Sequence, residues 1–314
     1  MKHNKNMRKK ITVVGSGNVG TTTAQLIAES DLADVVLIDI IEGIPQGKAL
    51  DILEACPVWN SGANVIGTNS YDDTSNSDIV VITAGLARKP GMSRDDLLYA
   101  NAKIIKQVAE EIAATSPDSI IIVVTNPMDT MAQITQQITG FPSERVLGMG
   151  GVLDTSRMRS FIAMETGTHP SDVKAMVLGG HGDLMLPITR LTTVEEKAIT
   201  EVLSESKIQQ IIERTKNGGA EIVSYLKTGS AYYAPAASSV EMIKTIFGIK
   251  NDPLPCSVYM NGEYGITGVY IGVPVRLDSE GLKEIIELEL SAEEKKSLHN
   301  SAEAGRDLLK KLET

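Results

Sequence analysis

Short, continuously apolar runs recur through the first half of the chain. Five of them, three to five residues long and rich in Ile and Val, are Ile11–Val14, Val35–Ile38, Asn64–Ile66, Ile79–Ile82 and Ile120–Val124. Strands that are buried on both faces of a parallel sheet lack the apolar–polar alternation of half-exposed strands. We therefore expect these five runs to form parallel strands.

Helix-compatible segments separate these runs. Thr21–Glu29, Pro45–Ala55 and Asp95–Ala114 place apolar residues at helical spacing. Alternation of strands and helices is typical of a doubly wound α/β sheet, in which helices cover both faces of the strands. The first half is thus predicted to be a domain of this class.

The pattern changes near Gly148–Gly151. The sequence that follows predicts helices, strands and one extended stretch in mixed order: a helix over 155–165, a strand over 173–178, an extended stretch over 184–192, helices over 206–227 and 236–247, strands near 257–259 and 269–273, and a charged final helix over 292–312. No Ser- or Pro-rich linker precedes this part. We predict two domains with a shared interface, residues 1–150 and an α+β domain over 151–314.

Composition narrows the function classes. The chain has 314 residues and a formal net charge of −10, which argues against nucleic-acid binding because phosphate recognition needs a basic face. It contains only two cysteines and no Cys/His metal spacing, so no metal site and a reducing, cytoplasmic location are expected. No apolar run approaches the roughly 20 residues needed to cross a bilayer, so no membrane partner is expected.

A glycine motif directly follows the first strand and opens the first helix: Gly15-Ser16-Gly17-Asn18-Val19-Gly20. The second strand ends at Asp39, near the roughly 20-residue spacing of a dinucleotide fingerprint. The first glycine permits the tight turn, the second lets backbone N–H groups reach a pyrophosphate, and the third allows close helix packing. Asp39 can accept hydrogen bonds from ribose hydroxyls and repels a 2′-phosphate. This motif predicts a Rossmann-type domain that prefers NAD to NADP.

The ends of later strands should line the same crevice. One of these ends is Val124-Thr125-Asn126-Pro127, where the Asn126 amide could hold a substrate oxygen beside the nicotinamide. Without that context, Asn-Pro indicates only a turn.

One histidine stands out as a proton-transfer candidate. His181 lies in Gly179-Gly180-His181-Gly182-Asp183 at the end of an apolar run, whereas the histidines at 3, 169 and 299 are expected at the surface. Asp154 and Arg157 lie three residues apart at a helix start, hence on one helical face. They could form an ordinary surface ion pair, or Asp154 could orient His181 while Arg157 binds a substrate carboxylate.

The segment 85–94 holds three cations, two glycines and a proline in an acidic protein. A solvated loop could have this composition. Arg88 and Arg94 nevertheless flank its tip, as a closing substrate lid over about 85–96 would require.

Taken together, these motifs resemble the lactate/malate dehydrogenase superfamily, most closely its lactate-dehydrogenase-like malate dehydrogenases. The resemblance covers nearly the whole chain and depends on five ordered motifs: the glycine turn with Asp39, Ala87–Arg94, Thr125–Pro127, Val152–Arg157 and Gly180–Asp183. It implies a homodimer or homotetramer that uses NAD to oxidise malate.

The resemblance also implies residue roles. His181 would accept the hydroxyl proton, Asp154 would stabilise the imidazolium, and Arg157 would bind one carboxylate. Arg94 would polarise the reacting oxygen, and Asn126 would contact substrate and nicotinamide. The cofactor cleft would further include Asn101 and the backbone of Val124 and Thr125.

Arg88 bears on the substrate, because lactate dehydrogenases typically carry Gln at this lid position. A second carboxylate, as in oxaloacetate, would otherwise be buried without a partner. Two alternatives stay open at this point. The chain could act on lactate or another 2-hydroxy acid, or it could bind NAD without catalysis.

Overall fold

The computed structural model describes residues 8–86 and 92–313, so His3 and Arg88 lie outside the described residues. The elements of the first half are β1 Lys10–Val14, α1 Asn18–Glu29, β2 Asp34–Ile38, α2 Ile44–Ala55, β3 Val65–Thr68, β4 Ile79–Ile82, α3 Arg94–Thr115, β5 Ile120–Val123, α4 Met128–Thr139 and β6 Val146–Gly148. The predicted alternation of strands and helices is confirmed.

The second half has longer helices and antiparallel strands. Its elements are α5 Gly151–Thr166, β7 Val173–Lys174, β8 Val177–Leu178, β9 Leu186–Pro187, β10 Thr193–Val194, β11 Lys197–Ala198, α6 Ile199–Val202, α7 Glu205–Leu226, α8 Tyr233–Ile246, β12 Leu254–Asn261, β13 Thr267–Asp278, β14 Gly281–Ile285 and α9 Ala292–Glu313.

Six parallel strands build the first half of the main sheet in the order β3-β2-β1-β4-β5-β6. Ile11, Ile79 and Ile120 stand in register across β1, β4 and β5, and each is at most 4% exposed. Because the strand order reverses between β1 and β4, a crevice opens beyond their carboxyl ends. This is the doubly wound Rossmann-type topology that the sequence predicts.

The sheet does not end at β6. Ser257 of β12 pairs with Gly148 of β6, and β12, β13 and β14 extend the sheet to nine strands in antiparallel fashion. The two halves therefore share one mixed sheet. Covering β6 with the apolar strand β12 removes an exposed parallel edge that would otherwise need protection.

Some elements differ from the sequence predictions. The strand predicted over 173–178 is two short strands, β7 and β8, which pair in different small sheets. Helix α4 was not predicted, because its Thr and Gln residues obscure the apolar spacing, although six of its residues are buried. His299 is partly buried rather than at the surface, and its Nε2 lies 2.9 Å from the Tyr264 carbonyl oxygen.

The packing around α5 and β8 positions the second half of the site. Helix α5 packs against α7 and α8, and a cluster of buried apolar residues including Met158, Ile162 and Val177 lies between α5, β8 and α7. Within residues 8–86 and 92–313, no helix has the length and apolar character that a bilayer crossing requires.

Candidate active site

The turn between β1 and α1 is built for close backbone contact. Gly15 has φ +102°, and a Cβ there would lie 2.8 Å from the Ala84 amide nitrogen. A Cβ at Gly20 would lie 1.8 Å from the Gly15 carbonyl oxygen, so α1 can approach β1 only with glycine at this position. A Cβ at Gly17 would contact nothing, which leaves open space beside the turn.

The N-terminus of α1 is free to receive an anion. Helix α1 begins at Asn18, no side chain among residues 8–86 and 92–313 caps it, and its first turn holds no acidic residue. Its unpaired N–H groups and the helix dipole favour a phosphate group at this end. The glycine turn and this helix start therefore fit a pyrophosphate.

Asp39 lies beside the same turn. Its Oδ2 accepts hydrogen bonds from the backbone N–H of Ser16 at 2.7 Å and from the Ser16 hydroxyl at 2.9 Å. Burial favours the neutral form, but these hydrogen bonds outweigh it and lower the pKa of Asp39, so the carboxylate is charged at neutral pH. Lys48, which sequence reasoning did not select, donates to the Ser16 carbonyl oxygen at 2.6 Å.

The walls of the crevice are tied together by Asn101, which is 1% exposed. Its Nδ2 donates to the carbonyl oxygens of Asn126 at 2.7 Å and Leu86 at 3.2 Å, and its Oδ1 accepts from the Leu86 N–H at 2.7 Å. The side chain thus joins the loop after β4 to the loop after β5. Both polar atoms of the Asn101 amide are therefore occupied by main-chain hydrogen bonds.

Thr125 reinforces the same junction. Its hydroxyl donates to the Ala84 carbonyl oxygen at 2.7 Å, and its methyl group would lie 2.5 Å from a Cβ at Gly85. The neighbouring Asn126 is exposed, and the Asn126–Pro127 peptide bond is cis. Asn126 is therefore accessible at the mouth of the crevice.

His181 and Asp154 form a hydrogen-bonded pair. The imidazole Nδ1 lies 2.8 Å from Asp154 Oδ2, and the side chains are 14% and 2% exposed. Burial lowers the pKa of His181, but the charge and hydrogen bond of Asp154, with a further contribution from Asp129, more than offset it, so the pKa is raised. With Nδ1 facing the carboxylate, Nε2 is available for proton exchange with a ligand.

Arg157 uses the other oxygen of the same carboxylate. Its Nη1 lies 3.3 Å from Asp154 Oδ1, and its side chain is only 13% exposed. The Nε atom is buried and has no hydrogen-bond partner in the described part of the chain. Because burying a guanidinium with an unpartnered N–H is costly, an anionic ligand that pairs with the exposed end of this group would be favoured.

Arg94 is the first residue of α3, and its Nη2 lies 2.8 Å from Asp183 Oδ2. Both side chains are more than 70% exposed. Exposed ion pairs contribute only about 0–1 kcal/mol, so a ligand anion can displace Asp183 at little cost. The ion pair between Arg94 and Asp183 thus connects the last part of the predicted lid segment to the His181 turn. The role of Arg88 stays a prediction, because this residue lies outside the described residues.

These features define a class of protein. A Rossmann-type sheet with a glycine turn and an acidic second-strand end is the architecture of a dinucleotide-binding domain. A histidine oriented by a carboxylate and accompanied by a buried arginine is suited to proton transfer on a carboxylic acid substrate. Together they describe a nicotinamide-dependent dehydrogenase.

Comparisons with known proteins specify the family. Residues 9–148 match the model for the lactate/malate dehydrogenase NAD binding domain, and residues 151–314 match the model for the alpha/beta C-terminal domain. The chain belongs to the lactate/malate dehydrogenase family, and its cofactor is NAD.

Individual relatives cover almost the full length. The malate dehydrogenase of Thermomicrobium roseum is 53% identical, over 96% of this chain and 98% of that protein. The structure of Cryptosporidium parvum malate dehydrogenase is 42% identical with a TM-score of 0.95, over 98% of this chain and 99% of that one. A Cryptosporidium parvum lactate dehydrogenase with lactic acid and NAD is 41% identical with a TM-score of 0.94, over 98% of each chain.

Proposed function

We propose that this chain is an NAD-dependent malate dehydrogenase that catalyses (S)-malate + NAD⁺ ⇌ oxaloacetate + NADH + H⁺. The observation that supports this most strongly is the shared carboxylate of Asp154. One oxygen faces the His181 imidazole and the other faces the Arg157 guanidinium. A proton acceptor and a carboxylate-binding group are thereby held at a fixed separation, which is what a 2-hydroxy acid requires.

The residues of this chain account for proton transfer in malate oxidation. His181 accepts the hydroxyl proton at Nε2, because Nδ1 is directed at Asp154. Asp154 then stabilises the imidazolium that results, in the manner of a carboxylate–histidine pair. Bound NAD⁺ supplies the acceptor for the hydride that leaves malate C2.

Arg157, Arg94 and Asn126 bind and orient the substrate. Arg157 holds the carboxylate next to the reacting carbon through the partly exposed end of its guanidinium group. Arg94 leaves Asp183 and turns to the reacting oxygen, and Asn126 contacts the same oxygen from the crevice side. Lid closure excludes water, which strengthens each of these charge interactions.

The cofactor site comprises the glycine turn, the ribose-binding carboxylate and the crevice walls. We assign to it Gly15, Ser16, Gly17, Asn18, Val19, Gly20, Asp39, Asn101, Val124, Thr125 and Asn126. Asn101 contributes chiefly by supporting the main chain of Leu86 and Asn126, because those contacts occupy its amide.

Arg88 decides between malate and lactate in this proposal. The fold alone does not decide, since the chain is equally similar in structure to a malate and a lactate dehydrogenase. Relatives above 50% identity that carry the name malate dehydrogenase favour the dicarboxylate. Arg88 would pair the second carboxylate and Arg157 the first.

The test of catalysis is NADH oxidation in the presence of oxaloacetate. We expect turnover by the wild-type chain, and we expect His181→Asn to lower kcat by about 1,000-fold or more while NADH binding, followed by fluorescence, is unchanged. A chain that binds NADH but never turns over, with or without the substitution, would instead be a non-catalytic NAD-binding module.

Assembly, compartment and domain division are part of the same proposal. We place the chain in the cytoplasm as a homodimer or homotetramer, with the domains divided near residue 150. Two observations support the compartment and the assembly: both cysteines, Cys56 and Cys256, are free and buried, and the large apolar side chains of Ile41 and Val58, which flank α2, are exposed.

A further inference from the structure

The turn that carries His181 is held by side chains from distant parts of the chain. The Gly180 N–H donates to Ser301 Oγ of α9 at 2.7 Å, and the His181 N–H donates to Asp129 Oδ2 of α4 at 2.8 Å. The turn is short and irregular, and only Gly179 pairs with the main sheet, through Gly272. These side-chain acceptors therefore determine where its backbone lies.

Asp129 joins three elements through one carboxylate. While Oδ2 accepts from His181, Oδ1 accepts from the Ser257 hydroxyl of β12 at 2.6 Å. Helix α4 lies in the region matched by the NAD-binding domain, whereas His181 and Ser257 lie in the region matched by the C-terminal domain. The carboxylate thus connects the two halves of the site.

Its position in the chain adds to this role. Asp129 lies in the first turn of α4, three residues after Asn126, where the helix dipole favours a negative charge. Burial nevertheless outweighs the hydrogen bonds from Ser257 and the His181 N–H and raises the pKa of Asp129. Asn126 and the acceptor of the His181 N–H are separated by only two residues at the start of α4. Both groups act on the same substrate oxygen in the proposed function.

We propose that Asp129 is a positioning residue for proton transfer, one that fixes the main chain of His181, and hence its imidazole, relative to Asn126. The inference rests on the proposed function and adds to it a residue that touches neither substrate nor cofactor. It gives a role to a partly buried acidic side chain at the domain junction, beside a second carboxylate, Asp154.

The packing around the imidazole leaves little room for displacement. A Cβ at Gly150 would lie 3.0 Å from His181 Cβ and 2.5 Å from Met128 Cε. The start of α4, the start of α5 and the His181 turn therefore meet at close range. Displacements on the order of 1 Å in such a site can lower a rate by about 100-fold.

The charged groups around His181 come from each neighbouring element. Asp154 and Arg157 face it from α5, and Asp129 faces it from α4. Asp154 and Asp129 raise the pKa of His181, whereas Arg157 and burial lower it. Loss of the Asp129 carboxylate is therefore expected to lower the pKa of His181 as well as to loosen its backbone.

The experiment compares Asp129→Ala, Asp129→Asn and a control, Thr135→Val. Asp129→Ala removes the acceptor of the His181 N–H, whereas Asp129→Asn retains an oxygen that can face it. Thr135→Val deletes a buried hydroxyl in the same helix whose hydrogen bond goes to the Met131 carbonyl within α4. It therefore perturbs α4 without touching the His181 turn.

We expect kcat for oxaloacetate reduction to fall about 30-fold or more in Asp129→Ala, with KM for NADH within about twofold of wild type. Asp129→Asn should recover at least about half of that loss on a logarithmic scale, and Thr135→Val should match wild type. Histidine NMR on the apo protein should show a lowered pKa of His181 in Asp129→Ala, assigned by comparison with His181→Asn.

A kcat for Asp129→Ala within twofold of Thr135→Val would overturn the inference. An unchanged pKa of His181, together with a kcat that equals the wild-type value when calculated per NADH-binding site, would overturn it as well. The activity loss would then come from misfolded protein alone. If Asp129→Ala does not fold, Ser257→Ala tests the same carboxylate from its other oxygen: a kcat loss of about threefold or more supports the inference, and a wild-type kcat overturns it. Inactivity of the wild-type chain itself would instead count against the proposed function.

Discussion

The Nδ1 atom of His181 lies 2.8 Å from Oδ2 of Asp154, although the two residues are 27 positions apart in the chain. The carboxylate is 2% exposed and the imidazole 14% exposed, so little water screens their interaction. This pair determines both the tautomer of His181 and the direction of its pKa shift.

Asp154→Asn should lower kcat in both directions and shift the pH profile. Oxaloacetate reduction needs the protonated imidazole. Because the pKa of His181 is raised from its ordinary value of 6.5, the imidazole stays protonated to higher pH. Without the Asp154 charge the pKa falls, so the alkaline limb of kcat/KM for oxaloacetate should move to lower pH. We expect a kcat loss of about 100-fold or more, and an unchanged limb would contradict the role given to Asp154.

A pair of adjacent glycines in α7 tests the placement of Arg157. A Cβ at Gly218 would lie 3.1 Å from Arg157 Cδ, which is tighter than an ordinary contact. A Cβ at Gly219 would lie 3.7 Å from Arg157 Nη2, which is an ordinary van der Waals distance. Both Gly→Ala substitutions should gain about 1 kcal/mol of helix propensity. Only Gly218→Ala should displace Arg157, raising KM for oxaloacetate about threefold to tenfold with KM for NADH unchanged. Equal KM values in the two variants would count against Arg157 as the carboxylate site.

Asp39→Asn tests cofactor selection. The substitution removes the charge that accepts hydrogen bonds and repels a 2′-phosphate, so KM for NADH should rise about tenfold while KM for NADPH falls. Asp34→Asn is a matched control, because Asp34 begins β2 and Asp39 directly follows it. The Asp34 carboxylate accepts from the Asn64 N–H and pairs with Arg8, outside the crevice. A NADH-to-NADPH preference that is the same in both variants would remove Asp39 from the ribose site.

Local patterns were sufficient to predict the parallel half of the fold. The runs at Ile11–Val14 and Ile79–Ile82 are buried strands, and the glycine turn lies where β1 passes into α1. These elements were predictable because an apolar run and a glycine turn are both recognised from residues that are adjacent in sequence. The continuation of the sheet through β12 depends on a pairing between Ser257 and Gly148, which no local pattern reports.

The site was predictable to the extent that residue chemistry is distinctive. His181, Asp154 and Arg157 meet in the structure as the motifs suggest, although their roles stay predictions. Asp129 was not selected, because in sequence it is only an acidic residue at a helix start. Its contact with the His181 N–H spans 52 positions and uses a backbone donor, which carries no sequence signal.

Arg88→Gln should change the substrate preference. Loss of the guanidinium would leave the second carboxylate of oxaloacetate without a partner, so kcat/KM for oxaloacetate should fall at least tenfold, more than about 1.4 kcal/mol. KM for NADH should stay within about twofold, since Arg88 lies outside the cofactor motifs. An unchanged kcat/KM would remove Arg88 from the substrate site.

The most direct test of the proposed function is the ratio of kcat/KM for oxaloacetate to that for pyruvate, measured by NADH oxidation on the wild-type chain. The net charge of −10 would disfavour a dianion on average, but the Arg157 and Arg94 guanidinium groups at the site can pair with its carboxylates directly. The proposed function predicts a ratio of about 100 or more in favour of oxaloacetate. A ratio below one would contradict it and assign the chain to lactate.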